Sequence, residues 1–198
     1  MDLIFATNNS HKLKEIRAAV GRDHRIISLE EAGISTEIPE EYPTLEENAR
    51  SKADFIYNMT GTSCFADDTG LEVYSLDYRP GVHSARYSMP ETRNIPESGI
   101  SKANILKLLG ELKDSGDRAA RFRTVISLIM NGEVFFFEGI VQGYILDEPR
   151  GGKGFGYDPV FCPEGFAESF AEMDLVRKNQ ISHRAIAVGK LIDFLKKL

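Results

Sequence analysis

Residues 121–130 and 133–141 are two runs rich in β-branched and aromatic side chains, joined by Asn131-Gly132. Asn-Gly suits a two-residue turn whose central residues both take positive φ, and such a turn folds one strand back onto the next. A long antiparallel hairpin is therefore predicted, and the rest of the chain must share a sheet with it. The other signals are strand–helix units. Leu3-Ile4-Phe5-Ala6 is a short apolar run without a helical period and predicts a buried strand. Leu13, Ile16 and Val20 then fall three and four apart on one helix face, with Gly21 as the stop. Residues 25–29 read as a second strand. Thr44-Leu45-Glu46-Glu47 is a capping box. Ala49, Ala53 and Ile56 carry that helix to about Met59, with Lys52 as a solvated charge upon it. Ile105, Leu108, Leu109 and Leu112 mark another helix, and a last one runs through Ile192 and Leu195. A hairpin mixed with strand–helix units implies a mixed sheet, so the fold class is α/β and not purely doubly wound.

At 198 residues, 42% hydrophobic and 27% charged, the chain can bury a sizeable core. Its net charge of −6 argues against general nucleic-acid binding, which needs a basic surface. A local group of lysines and arginines with a metal can still hold a small anion. Cys64 and Cys162 are far apart without metal-ligand spacing and read as buried thiols of a reducing compartment. The N-terminus lacks the basic and apolar regions of a signal peptide, and no apolar run approaches the ~20 residues that span a bilayer. The sequence is thus expected to be soluble and cytoplasmic, with no membrane partner.

The chemistry concentrates in a few stretches. Phe65-Ala66-Asp67-Asp68-Thr69-Gly70-Leu71 reads as the end of a buried strand, an acid pair and a turn at Gly70, with Leu71-Glu72-Val73 as a separate short strand. Neighbours on an extended chain point to opposite faces, so Asp67 and Asp68 need not share one task. Two carboxylates this close repel unless a cation or donors lie between them, and Mg²⁺ is one such cation. A turn carrying two solvated aspartates is the plainer alternative.

Thr7-Asn8-Asn9-Ser10-His11-Lys12 joins a strand end to a helix N-terminus, with Asn9 or Ser10 as cap and Lys12 in the first turn. Free N–H groups, the positive helix end and an ammonium would meet there, which makes an anion site. The glycines of a P-loop are missing. An ordinary capped connection is the alternative. Gly151-Gly152-Lys153-Gly154-Phe155-Gly156-Tyr157-Asp158-Pro159 sets a ring among glycines, either as a platform for a flat ligand or within a mobile surface loop. Ser182 caps the last helix and puts His183 and Arg184 in its first turn. Cations there oppose the dipole, which suggests an anionic or electron-rich ligand; an ordinary surface His-Arg pair is the plainer alternative.

Together with Pro80-Gly81-Val82-His83-Ser84-Ala85-Arg86-Tyr87, these stretches occur in order along the chain and resemble the inosine triphosphate pyrophosphatase family. The resemblance covers essentially the whole chain, residues 1–198, as one bilobed domain. It implies an elongated mixed sheet with helices on its faces, and two lobes around a central cleft. It also implies Mg²⁺-dependent hydrolysis of ITP, dITP and XTP to the monophosphate and pyrophosphate, by a homodimer. Thr7, Asn8, Asn9, Ser10, His11 and Lys12 match the triphosphate cradle. Glu40 and Asp68 match the metal-binding acids, with Glu41 close to Glu40 in the same polar stretch, and Asp68 also matches the proton acceptor. Thr69 matches a hydroxyl residue that touches substrate. Phe155, Gly156, Tyr157, Asp158, Lys178, His183 and Arg184 match positions around the base and sugar. The chain departs from the family pattern with Asn8 where many relatives carry Gly, with His83 where Tyr is common, and with Asp174-Leu175-Val176-Arg177 before Lys178 where relatives are more acidic.

On that reading, Arg184, which has only donors, suits the carbonyl of hypoxanthine or xanthine and faces the adenine amine badly. Asp67 is left as a second metal ligand, an orienting group or a turn former. Two rival readings remain: a Maf-like pyrophosphatase of modified pyrimidine triphosphates, and a nucleotide sensor without turnover.

Overall fold

The computed structural model describes residues 2–20, 24–36, 38, 42–89 and 97–197. The strands are β1 (Asp2–Phe5), β2 (Arg25–Ile27), β3 (Cys64–Val73), β4 (Pro80–Gly81), β5 (Ala119–Met130), β6 (Glu133–Ile145) and β7 (Phe161–Pro163). They pair in the order β2-β1-β3-β5-β6-β7, with β4 on β3. The helices are α1 (Ser10–Val20), α2 (Leu45–Thr60), α3 (Glu97–Glu111), α4 (Leu175–Ile181) and α5 (His183–Leu195). The chain forms two compact units. The first comprises Met1–Asp68, Thr124–Ile140 and Asn179–Leu198, and the second Thr69–Arg123 and Val141–Lys178.

In the first unit β1 pairs in parallel with both β2 and the start of β3. Parallel neighbours need a crossover, and α1 and α2 supply them. Burial follows the strand alternation. Leu3, Phe5 and Phe65 pack with Ile16 of α1 and Ala187, Val188 and Leu191 of α5. Ile4, Ala6, Cys64 and Ala66 pack on the opposite face with Ala53 and Ile56 of α2. The Phe5 and Phe65 rings stack at 4.7 Å. Asn131 (φ 52°) and Gly132 (φ 81°) form the predicted turn between β5 and β6. Thr44 caps α2, accepting the Glu47 N–H, and Gly61 ends it in the left-handed region.

In the second unit β4 lies antiparallel on β3, pairing Leu71 with Gly81 and Glu72 with Pro80. β7 lies antiparallel on β6. Phe122, Phe161 and Phe170 form an aromatic centre, with the first two rings 4.7 Å apart.

Some expectations change. The stretch through the acid pair contains no turn at Gly70, because β3 is one ten-residue strand and includes residues 71–73. Gly70 is required for another reason: a Cβ there would come within 2.8 Å of the Gly81 carbonyl oxygen on β4. The second strand ends at Ile27 rather than residue 29. Gly21, expected to stop α1, lies outside the described residues. Among the described residues, no helix is long and apolar enough to cross a membrane.

Candidate active site

The alternation of β3 decides where the acid pair points. Phe65 faces α1 and α5, and Asp67, two residues on, takes the same face. Asp68 follows Cys64 and Ala66 toward α2. Lys12 of α1 lies 3.1 Å from Asp67. Lys52 of α2 lies 3.2 Å from Asp68. Two adjacent carboxylates thus meet two different lysines on opposite faces of one strand.

Arg184, at the start of α5, adds a second cation to Asp67, with Nε 3.2 Å away. Its Nη1 also pairs with Glu15 of α1. Burial by itself would raise the Asp67 carboxyl. The charges of Lys12, Arg184 and Lys52, with the Lys12 hydrogen bond, outweigh it and hold Asp67 well below the usual carboxylate range. Burial lowers the Lys12 ammonium, and Asp67 only partly restores it. For Arg184, burial is opposed and overcome by Asp67 and Glu15, and the guanidinium is raised. Lys12, Asp67, Arg184 and Glu15 form one chain of alternating charge, buried except at the half-buried Lys12.

This geometry corrects one reading and redirects another. Lys52 is no solvated charge: it is buried and paired. Arg184 was matched to the nucleotide, but its guanidinium engages Asp67 and Glu15 within the protein. Its place against the helix dipole is therefore supported by carboxylates of this chain. Glu15 and Lys52 were both missed as members of the site. Lys52 had a signal, since residues 45, 49, 52, 53 and 56 form one helical stripe and a lysine stands within it. Glu15 had none beyond lying three residues after Lys12, on the same side of the helix.

The polar loop behaves as a capped helix start. Asn9 Oδ1 accepts the N–H groups of His11 and Lys12 at 3.0 and 3.1 Å, and Thr7 Oγ1 accepts that of Asn9 at 3.2 Å. Asn8 donates to the Thr36 carbonyl at 3.0 Å. Asn8, Asn9, Ser10 and His11 are exposed, and Thr7 and Lys12 are half-buried. Asn9 rather than Ser10 is thus the cap, and it already holds two of the N–H groups expected to face an anion.

His183 opens α5 behind its cap Ser182. Its Nδ1 lies 2.6 Å from Thr124 Oγ1 on β5.

The remaining predicted residues gather in the second unit. Asp158 Oδ2 accepts the Phe155 N–H at 2.8 Å and the Lys178 ammonium at 2.7 Å. The ammonium lies 5.2 Å above the Phe155 ring and 5.4 Å from the Phe170 ring. Tyr157 donates to the Ser84 carbonyl at 2.9 Å, and burial holds its phenol far above its ordinary range. Gly154 and Gly156 take φ of 73° and 60°. A Cβ on Gly154 would collide with the Asp158 carboxylate. The glycine loop is a hydrogen-bonded turn closed by Asp158. Thr69, half-buried, follows Asp68 on β3.

With the geometry in view, comparison with known proteins becomes specific. A model of the Ham1 family matches residues 3–194. The chain belongs to the Ham1 family. The dITP/XTP pyrophosphatase of Christiangramia forsetii is 49% identical over 197 residues, covering all of both chains. That of Porphyromonas gingivalis is 53% identical over 194 residues, 98% of this chain and 96% of the relative. Among solved structures, a HAM1 protein from Coxiella burnetii aligns over all of both chains at a TM-score of 0.87 and 34% identity. The Staphylococcus aureus Ham1 protein aligns at 0.86 and 34%, covering all of this chain and 99% of the other. The mixed α/β fold of this Ham1-family chain is therefore shared with proteins of its own family.

Glu40, matched to a metal ligand, lies outside the described residues, as does Glu41. Among the described residues of this Ham1-family chain, no three His, Cys, Asp or Glu side chains come together as a metal cage. A hard ion that binds through one or two carboxylates, water and substrate phosphates needs no such cage. Asp68, a hard carboxylate with the Lys52 ammonium at 3.2 Å, fits that role. Asp67 is held between a lysine and an arginine.

Proposed function

We infer that this chain is a nucleoside triphosphate pyrophosphatase that hydrolyses ITP, dITP and XTP to the monophosphate and pyrophosphate. It thereby clears deaminated purines from the nucleotide pool. The observation that carries the reading is the acid pair of β3 with a lysine on each face, in a chain 49% and 53% identical to dITP/XTP pyrophosphatases over nearly its whole length. The whole of residues 1–198 acts as one pyrophosphatase domain, in a cytoplasmic homodimer.

Asp68 accepts a proton from the attacking water. The water oxygen bonds to the α-phosphorus, the bond from that phosphorus to the bridging oxygen breaks, and pyrophosphate leaves with the electron pair. Lys52 fixes the orientation of the Asp68 carboxylate. Lys12, exposed enough to meet solvent, supplies positive charge to the phosphates beside residues 7–11. For the backbone N–H groups of His11 and Lys12 to join it, the Asn9 side chain must turn away from them. Asp68 and Glu40 are the residues assigned to Mg²⁺, which when bound lowers the pKa of a water and spreads phosphate charge. Thr69 is assigned to substrate. His183 and Arg184 are assigned to the nucleotide, as are Phe155, Gly156, Tyr157, Asp158 and Lys178 of the second unit.

Hydrolysis in ¹⁸O-water with Mg²⁺ tests this reading. Label recovered in IMP, with unlabelled pyrophosphate, supports attack at the α-phosphorus. Orthophosphate as product, or label in pyrophosphate, overturns it.

A further inference from the structure

Thr124 and His183 are both buried, at 0% and 3% exposure, and their Oγ1 and Nδ1 atoms are 2.6 Å apart. Thr124 stands on β5 with Ile126 and Leu128 two and four residues on, which face the core shared with α5. His183 is held from the other side as well. Its helix begins at Ser182, whose hydroxyl accepts the Ala185 N–H at 3.2 Å. On β6, a Cβ at Gly139 would overlap the His183 carbonyl and come within 2.6 Å of the Ala187 nitrogen. Only a glycine lets the first turn of α5 seat so closely. Backbone and ring are thus both fixed, although the sequence reading assigned neither Thr124 nor Gly139 any part.

A neutral imidazole carries one N–H, and its partner decides which nitrogen holds it. If the Thr124 hydroxyl donates to Nδ1, the ring proton is on Nε2, which is then a donor. If Nδ1–H donates to Thr124, Nε2 is an acceptor. A 6-oxo purine presents a carbonyl where adenine presents an amine, so the first arrangement suits ITP and XTP and the second suits ATP.

We propose that Thr124 is a positioning residue that fixes His183 as the Nε2–H tautomer and so sets a donor that favours 6-oxo purines over adenine. The inference rests on the assignment of His183 to the nucleotide made above. Thr124 touches no reacting atom; it acts through His183.

The test combines ¹⁵N NMR of the histidine rings with kinetics on ITP and ATP for the wild type, Thr124→Val and Thr124→Ser. The His183 signal is assigned by its loss in His183→Asn. The wild type and Thr124→Ser should show protonated Nε2 and bare Nδ1, and Thr124→Val a mixture of tautomers. Thr124→Val should raise KM for ITP on the order of tenfold, with little change in kcat, and narrow the ITP-over-ATP preference by a similar factor. Thr124→Ser should restore both. A wild-type spectrum with Nδ1 protonated, or an unchanged preference in folded Thr124→Val, overturns the proposal. Should the valine variant fail to fold, the wild-type spectrum and the serine variant still decide. Absence of ITP turnover in a wild type that shows Nε2–H overturns the functional reading itself, whereas turnover with Nδ1 protonated overturns only the role of Thr124.

Discussion

The Lys52 ammonium lies 3.2 Å from the Asp68 carboxylate, joining the middle of α2 to the middle of β3 with both side chains buried. A buried ion pair adds little stability over an apolar pair, but losing one partner strands the other charge. The pair is better understood as a device that holds one carboxylate still. Its neighbour Asp67, held by Lys12 and Arg184, does the same for the start of α5.

Lys52→Met should therefore lower both stability and turnover. Urea denaturation should show a loss of about 3–5 kcal/mol, the size seen when a buried pair loses one member. kcat should fall far more than KM rises, because Asp68 would remain but lose its fixed orientation. A variant as stable and as active as the wild type would place the pair outside the chemistry.

Acid should expose the Asp67 network. The Asp67 carboxyl lies below its ordinary value of 3.8 in the folded state, since the cations around it outweigh its burial. Its contribution is fully present above that value and is lost as pH falls through the depressed one. The stability gap between wild type and Asp67→Asn should hold from neutrality to about pH 5 and then narrow below pH 3.8. Lys12 contributes a slope of the same sign at the other end of the scale. Its lowered pKa makes stability rise with pH only in the alkaline window below 10.5, so it leaves the acid limb undisturbed. Denaturant midpoints across pH 3–7 give the answer, and a gap independent of pH would count against the network.

Gly139→Ala should push the first turn of α5 off β6, because the new methyl would occupy the space of the His183 carbonyl. Overpacking of this kind costs about 1–3 kcal/mol. The displacement carries His183 and Arg184 with it, so kcat/KM for ITP should fall more than stability alone explains at a temperature where the variant is fully folded. A folded variant with wild-type kcat/KM would show that the seating of α5 is not part of the site.

The parts of this fold that were legible in the sequence are those with a local cause. Asn131-Gly132 fixed a hairpin through its positive φ values, and Thr44 with Glu47 fixed a helix start through its own hydrogen bonds. The opposite facing of Asp67 and Asp68 followed from strand pleat alone. Gly70 was misread because a glycine beside polar residues signals a turn locally, whereas its cause is the backbone of β4 eleven residues on. The ion-pair partners of Arg184 were illegible for the same reason: Glu15 and Asp67 are remote in sequence, and only packing brings them to it. Lys52 could have been suspected from its place in an apolar stripe. Glu15, Thr124 and Gly139 could not, since each acts through an element that the sequence does not name.

The most direct test of the central claim is product analysis of wild type and Asp68→Asn with Mg²⁺ on ITP, XTP, ATP and GTP. The substitution keeps the shape of the side chain and its reach toward Lys52 but removes the proton acceptor. The account predicts IMP and pyrophosphate from ITP, little product from ATP, and turnover reduced by on the order of 10²–10⁴-fold in the variant, the usual contribution of a general base. Full turnover by Asp68→Asn, or equal rates on all four nucleotides, would contradict it.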